Sequence, residues 1–412
     1  MAPLLQTIAI FALLALAAPP AGAEDWVGTY GTSAAMPGPR FVASDYTVRV
    51  QGTLRYRLQV SIGGRGVQIR LSNEEGATPL RVAEVTVGLA ADGLALRPGS
   101  VRQVTFGGAR EVTMAPGAPA LSDPVALTVP DLGDVIVSLY LPAAATVARN
   151  AVATPMAMVA ARDVTGDLDF PAGAVDPHAR PIVSAIAVRG TAGSIVTLGD
   201  SITDGARAKL PGTRGWPALL AQRLAARGTK MGVVNAGIAA NRLLRDDFGT
   251  SGLARLDRDV FATPGLSHLI VLEGINDLQV SGLEQGGVAH PPVTAADLIA
   301  GYQEIIRRAH QRNVRVIGGT ITPFQGSRNF SDAREQTRLI VNDWIRTGGA
   351  FDGVIDFERA VRDPARPQQI RAEFDSDDHL HPNDAGYEAM AAVIDLRLFD
   401  AVRAKRSGAA VK

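Results

Sequence analysis

The sequence predicts two folded parts, an all-β sandwich or jelly roll at residues 24–190 and an α/β domain on a parallel five-stranded sheet at residues 191–403. Three observations carry this. Apolar residues in the first part alternate with period two, as on a half-buried strand. Glycine and proline pairs punctuate that part at short intervals. From Ser194 onward, short apolar runs alternate with segments of helical length, the pattern of a parallel sheet covered on both faces.

In the first part, residues 67–71 (Val-Gln-Ile-Arg-Leu) alternate cleanly, residues 82–87 do so more loosely, and residues 135–141 form a mostly apolar run. Turn chemistry separates such segments at Gly63-Gly64, Asp92-Gly93, Pro98-Gly99, Gly107-Gly108 and Pro116-Gly117, because glycine reaches positive φ and proline fixes φ. Many short strands parted by turns indicate a sandwich or jelly roll. Residues 143–190 complete the sandwich and cross to the second part.

In the second part the expected strands are residues 194–198, 231–236, 268–272, 314–318 and 353–357. The expected helices are residues 216–227, 295–311, 332–346 and 384–402, and residues 404–412 read as a flexible tail. Ligands of such sheets bind beyond the carboxyl ends of the strands.

The chain of 412 residues is long enough for two domains. Its 41 Lys plus Arg balance 41 Asp plus Glu, so no basic excess faces a phosphate backbone, which argues against nucleic acid as a partner. There is no cysteine, which excludes disulfides, thiolate metal sites and a cysteine nucleophile. Residues 4–18 are nearly all apolar and are followed by Pro19-Pro20 and Ala21-Gly22-Ala23. This reads as a signal peptide at residues 1–23 cleaved after Ala23, hence a secreted or periplasmic protein with no stable membrane insertion after cleavage. The stretch is short for a membrane span, which needs about 20 apolar residues.

Chemistry-bearing residues follow the strand ends. Gly199-Asp200-Ser201 follows the first strand, where a serine opening a helix presents its hydroxyl and an unpaired N–H. Asn235-Ala236-Gly237 follows the second, with a glycine that lets backbone approach a ligand. Gly274-Ile275-Asn276-Asp277 follows the third, where the Asn276 carboxamide is a neutral donor suited to an oxyanion and Asp277 braces the loop. The last block, before the final helix, is Asp375-Ser376-Asp377-Asp378-His379-Leu380-His381-Pro382-Asn383. Asp378 and His381 are three apart, within one turn, whereas His379 has only Ser376 at that offset, so His381 is the better base.

Together, in this order, the four blocks resemble the SGNH family, also called the GDSL esterases and lipases. The resemblance spans about residues 193–402 and implies a flavodoxin-like sheet. It implies a serine nucleophile at Ser201, an Asp378–His381 pair, and oxyanion donors at the Ser201 N–H, the Gly237 N–H and the Asn276 side chain. Leu71-Ser72-Asn73-Glu74 and Leu121-Ser122-Asp123-Pro124 resemble a β-sandwich that precedes the catalytic domain in some secreted bacterial members. The implied activity is cleavage of acyl esters, acetyl groups on polysaccharide or small-molecule esters, with no cofactor and no metal. No Gly-x-Ser-x-Gly elbow is present. Two alternatives compete: a metal-dependent phosphoesterase using Asp200, Asn276, His379 and His381, and a non-catalytic carbohydrate-binding protein.

Overall fold

The computed structural model describes residues 25–149, 156–190, 192–209 and 215–400. The expected signal peptide and tail lie outside the described residues.

The first part comprises β1 (Asp25–Gly31), the single turn α1 (Ala43–Tyr46), β2 (Thr47–Gln59), β3 (Val67–Asn73), β4 (Leu80–Val82), β5 (Glu84–Leu89), β6 (Arg102–Gln103), β7 (Val112–Met114), β8 (Ala118–Leu121), β9 (Asp134–Ala148), β10 (Met156–Ala160) and β11 (Val183–Gly190). One antiparallel sheet has the order β1-β11-β3-β8, and the other has β10-β2-β9-β5-β6. β3 alternates buried and half-buried residues along its length, as its sequence requires. Its inward Val67, Ile69 and Leu71 meet Leu54, Leu58, Val137 and Leu139 of the other sheet, so this is a sandwich with one core between two sheets. Asp92-Gly93, Pro98-Gly99, Gly107-Gly108 and Pro116-Gly117 do place glycine at positive φ. Gly63-Gly64 does not; there the missing Cβ admits the carbonyls of Val129 and Arg189.

With two residues between it and β11, β12 (Gly193–Gly199) begins the parallel sheet. It continues through β13 (Met231–Gly237), β14 (Leu266–Leu272), a small hairpin of β15 (Glu284–Gln285) and β16 (Val288–Ala289) that stands apart, then β17 (Arg315–Gly319) and β18 (Gly353–Ile355). The order β13-β12-β14-β17-β18 is all parallel, with the second strand outside the first. That is the flavodoxin-like arrangement, whose crevice opens where strand order reverses, at the carboxyl ends of the first and third strands. The helices are α2 (Ser201–Asp204), α3 (Gly215–Arg227), α4 (Ile275–Val280), α5 (Ala295–His310), α6 (Asp332–Thr347), α7 (Phe357–Val361) and α8 (Asp384–Ala392). Val196, Leu198, Leu269 and Val271 face α5 and α6, while Ile195, Ile270 and Leu272 face α3 and α8. Burial on both faces explains why these strands read as continuous apolar runs.

Two expected elements end early. The fifth strand stops at Ile355, because Asp356 accepts from the Arg359 N–H and caps α7. The last helix stops at Ala392 rather than running toward residue 402. Arg223 donates to the carbonyls of Ala391 and Ile394, and Asp395 then caps a separate 3₁₀ turn, Leu396–Phe399.

The sandwich covers the outer strand of the parallel sheet. Ser61 Oγ accepts from the Val233 N–H at 2.8 Å, and Gly28 N–H donates to Pro264 O at 2.9 Å. A Cβ on Gly232 would stand 2.0 Å from Gly28 O, so only glycine permits this approach of β1 to β13. An edge that would otherwise expose unpaired backbone is thereby protected.

Candidate active site

Of the five site residues expected from sequence, Ser201, His381 and Asp378 are joined by hydrogen bonds at the carboxyl edge of the parallel sheet, Asn276 lies just past the end of β14 at that same edge, and the Gly237 N–H is engaged by Asn235. The site starts where β12 ends. A Cβ on Gly199 would stand 2.1 Å from Thr203 Oγ1, so the glycine lets the chain fold back over the sheet. Asp200 caps α2 by accepting from the Ile202 N–H at 2.9 Å. Gly205, at φ 95°, ends the helix after one turn with its N–H on Ser201 O. Ser201 is thus the first residue of α2, 7% exposed. Its N–H has no partner among the described residues, as the first turn of a helix dictates.

Ser201 Oγ lies 2.8 Å from His381 Nε2. His381 Nδ1 lies 2.7 Å from Asp378 Oδ2, and Asp378 Oδ1 accepts from the N–H groups of Leu380 and His381. A carboxylate facing Nδ1 keeps the proton there and leaves Nε2 as the acceptor for the serine hydroxyl. Burial opposes ionisation of Asp378, yet the hydrogen bonds from the His381 ring and backbone hold its carboxyl well below the usual range. His381 does not cap α8; Asn383 does, accepting from Gly386.

Asn276, the second residue of α4, donates one amide N–H to Asn241 O at 2.9 Å. Asp277 braces the loop after β13, accepting from the N–H groups of Leu243 and Leu244. Gly237 departs from expectation. Its N–H donates to Asn235 Oδ1 at 2.8 Å and is not open to a ligand. Its lack of a side chain serves packing instead, since a Cβ would stand 2.2 Å from the Asp204 nitrogen. Three residues on, Ala240 takes φ 61°, unusual for a residue with a Cβ, and its N–H has no partner among the described residues. It adjoins Asn241, the residue that Asn276 touches. Alanine carries no sequence signal for positive φ, so Ala240 was not legible beforehand.

Two buried arginines support these loops, and sequence reading passed over both. Arg255 donates to Gly199 O, Ala236 O and Asn241 Oδ1, tying together the ends of β12 and β13 and the loop beyond. Arg180, from the segment before β11, donates to Asp204 Oδ2, Gly237 O and Ser33 O. Their partners are scattered along the chain, and no local pattern announces them.

Beneath the serine lie buried carboxyls. Burial, countered in part by the Ile202 N–H and His381, pushes Asp200 up to about 7. Burial likewise pushes Asp277 up to about 6. Glu273 is raised well above its ordinary value by burial and by Asp200 beside it. Among the described residues no group of three or more His, Asp and Glu is arranged to hold a metal ion. A second pair sits at the rim: His379 Nδ1 lies 2.6 Å from Asp375 Oδ2. The offset of three considered in the sequence missed it, because this pair is four apart.

A hydroxyl, an imidazole and a carboxylate in line, next to unpaired amide donors, can deprotonate the hydroxyl and hold charge developing on a neighbouring oxygen.

Residues 197–389 match the sequence profile of the GDSL-like Lipase/Acylhydrolase family. No curated protein matches the chain. Solved structures similar to it include an acetylxylan esterase from Geobacillus stearothermophilus, at 21% identity, covering 52% of this chain and 96% of that one with a TM-score of 0.38. A lipase/acylhydrolase from Enterococcus faecalis has 22% identity over 49% of this chain and 92% of that one, with a TM-score of 0.37. The family match is confined to residues 197–389, and it supports a carboxylic ester hydrolase activity for that GDSL-like lipase/acylhydrolase domain.

Proposed function

We propose that the protein is an exported serine esterase that cleaves short acyl or acetyl esters, including those on polysaccharide, through an acyl-enzyme. The observation that carries this is the continuous line from Ser201 Oγ through His381 to Asp378, at 2.8 and 2.7 Å. His381 takes the Ser201 proton as Oγ attacks the ester carbonyl. The Ser201 N–H, the Asn276 amide and an N–H of the loop after β13 hold the oxyanion. Asn235 engages the Gly237 N–H, whereas the Ala240 N–H is an open donor of that loop among the described residues. The carbonyl re-forms as the alcohol leaves with the proton from His381. Water, deprotonated by the same histidine, then frees the acid.

The test is hydrolysis of p-nitrophenyl acetate and labelling by an organophosphonate. Ser201→Ala is expected to lose both, with turnover down by roughly 10⁶-fold. A variant that keeps either, or a wild type that shows neither, refutes the esterase reading. A chelator that abolishes turnover while Ser201→Ala retains it would instead support the metal-dependent phosphoesterase.

Export rests on the apolar run and small-residue site at residues 4–23. The whole chain made in a secreting bacterium is expected to yield a mature protein beginning at Glu24, read by N-terminal sequencing. A product that keeps residues 1–23 goes against export with cleavage. The sandwich, residues 24–190, is proposed as a supporting domain for the catalytic loops, through Arg180.

A further inference from the structure

We propose that His379 is a specificity-determining residue that hydrogen-bonds a hydroxyl of the alcohol portion of the ester, so that the enzyme favours acyl esters of sugars and polyols. This rests on the reading of Ser201 and His381 as the ester-cleaving pair and deepens it to the leaving group.

His379 stands two residues before His381 in the same loop, in left-handed backbone at φ 57°. A residue with a Cβ takes this conformation uncommonly, histidine more readily than most. Three contacts hold the residue there. Asp375 Oδ1 accepts from the His379 N–H at 3.0 Å, and Asp375 Oδ2 lies 2.6 Å from the ring Nδ1. The ring rests on Gly326, where a Cβ would stand 2.9 Å from ring carbons. Gly326 belongs to the loop after β17, and that loop emerges at the same sheet edge as Ser201.

The pair is asymmetric. The Asp375 side chain is 8% exposed, whereas the imidazole is 54% exposed. A brace for the loop needs only the buried half of this arrangement. Here the carboxylate fixes the ring through Nδ1, and Nε2 faces outward without an intramolecular partner among the described residues. With the Nδ1 proton directed at Asp375, Nε2 is an acceptor in the neutral ring and a donor when the ring is charged. A hydroxyl can both donate and accept, so it answers either form.

The surface next to the loop is polar: a cleft of about 410 Å³ is lined chiefly by Arg207, Lys209, Asp375, Ser376, Asp377 and Asn383, and His379 adjoins it through Asp375 without itself lining it. Arg207 Nε also approaches Asp378 Oδ2 at 3.3 Å, so this polar wall reaches the catalytic carboxylate itself.

The experiment compares kcat/KM for glycerol monoacetate with that for ethyl acetate, in wild type and in His379→Gly. Glycine accepts the left-handed backbone, so the variant removes the ring without adding strain. The ratio of the two values is expected to fall about tenfold, the effect of one lost hydrogen bond to substrate. His379→Asn serves if the glycine variant does not fold, since asparagine tolerates this backbone but is too short to reach where Nε2 stands, and the same fall is expected. An unchanged ratio in an active variant overturns the proposal and leaves His379 a brace. A wild type inert toward both esters overturns the esterase reading, and this proposal with it.

Discussion

Asp200 lies buried directly beside Ser201, and its carboxyl is pushed up to about 7 by burial, against the Ile202 N–H and His381. In the unfolded chain the same group ionises at the ordinary carboxylate value, near 4. Between these values the folded protein holds a proton that the unfolded chain has lost. Stability from this group is therefore full below about pH 4 and falls as pH rises toward 7. Asp277, raised to about 6, acts in the same direction. Asp378 acts oppositely: its carboxyl is held low, so its contribution is present at neutral pH and is lost only in acid. Asp200→Asn keeps an oxygen for the Ile202 N–H and removes the titration. Its melting temperature is expected to fall less steeply from pH 4 to pH 7 than that of wild type; parallel slopes would refute this. At this scale the sequence was informative where chemistry is local. Asp378 and His381 were legible as a pair because three residues of chain separate them. His379 and Asp375 were passed over although only four apart, since their contact depends on a left-handed turn that nothing in the residue types demands.

The helices of the catalytic half show what the sequence specifies at the scale of an element. α5 begins with a capping box: Thr294 accepts from the Asp297 N–H, and the Asp297 carboxylate accepts from the Thr294 N–H. Its Leu298, Tyr302, Ile305 and Ala309 fall on one face and pack against the sheet. Thr294→Ala is expected to lower unfolding stability by about 1 kcal/mol, and Thr294→Ser to change it by much less. Urea denaturation measures both, and equal losses in the two variants would argue against the cap. α8 behaves differently. Its periodicity continues past Ala392, yet the helix stops where Arg223 of α3 takes the carbonyls of Ala391 and Ile394. A neighbour distant in sequence sets that boundary, so periodicity alone overran it.

Across the whole molecule, the two parts are joined by more than the short link between β11 and β12. β1 lies against β13, and Arg180 reaches from the sandwich side to Asp204 and Gly237, next to Ser201. Arg180 and Asp204 are both buried, and breaking a buried ion pair costs about 3–5 kcal/mol. Arg180→Met is expected to lower stability by that order and to lower kcat more than it raises KM, since α2 and the loop after β13 lose a common anchor. A loss below about 1 kcal/mol with unchanged kcat would leave the sandwich without a supporting role.

The sequence by itself pointed to a β-rich first part, to five parallel strands with their four longer helices in order, and to Ser201, Asn276, Asp378 and His381 as candidates. These follow from periodicity, turn residues and short offsets, which are properties of neighbouring residues. Tertiary structure decided which backbone donors are open. Asn235 occupies the N–H of Gly237, and the turn beyond it leaves the N–H of Ala240 open. It also decided that Arg180 and Arg255 anchor the site, and that His379 stands at its rim. The physical reason is common to all of these. Each depends on hydrogen-bond partners brought together from separate loops, or on a backbone angle imposed by packing, and neither is written in the local order of residues.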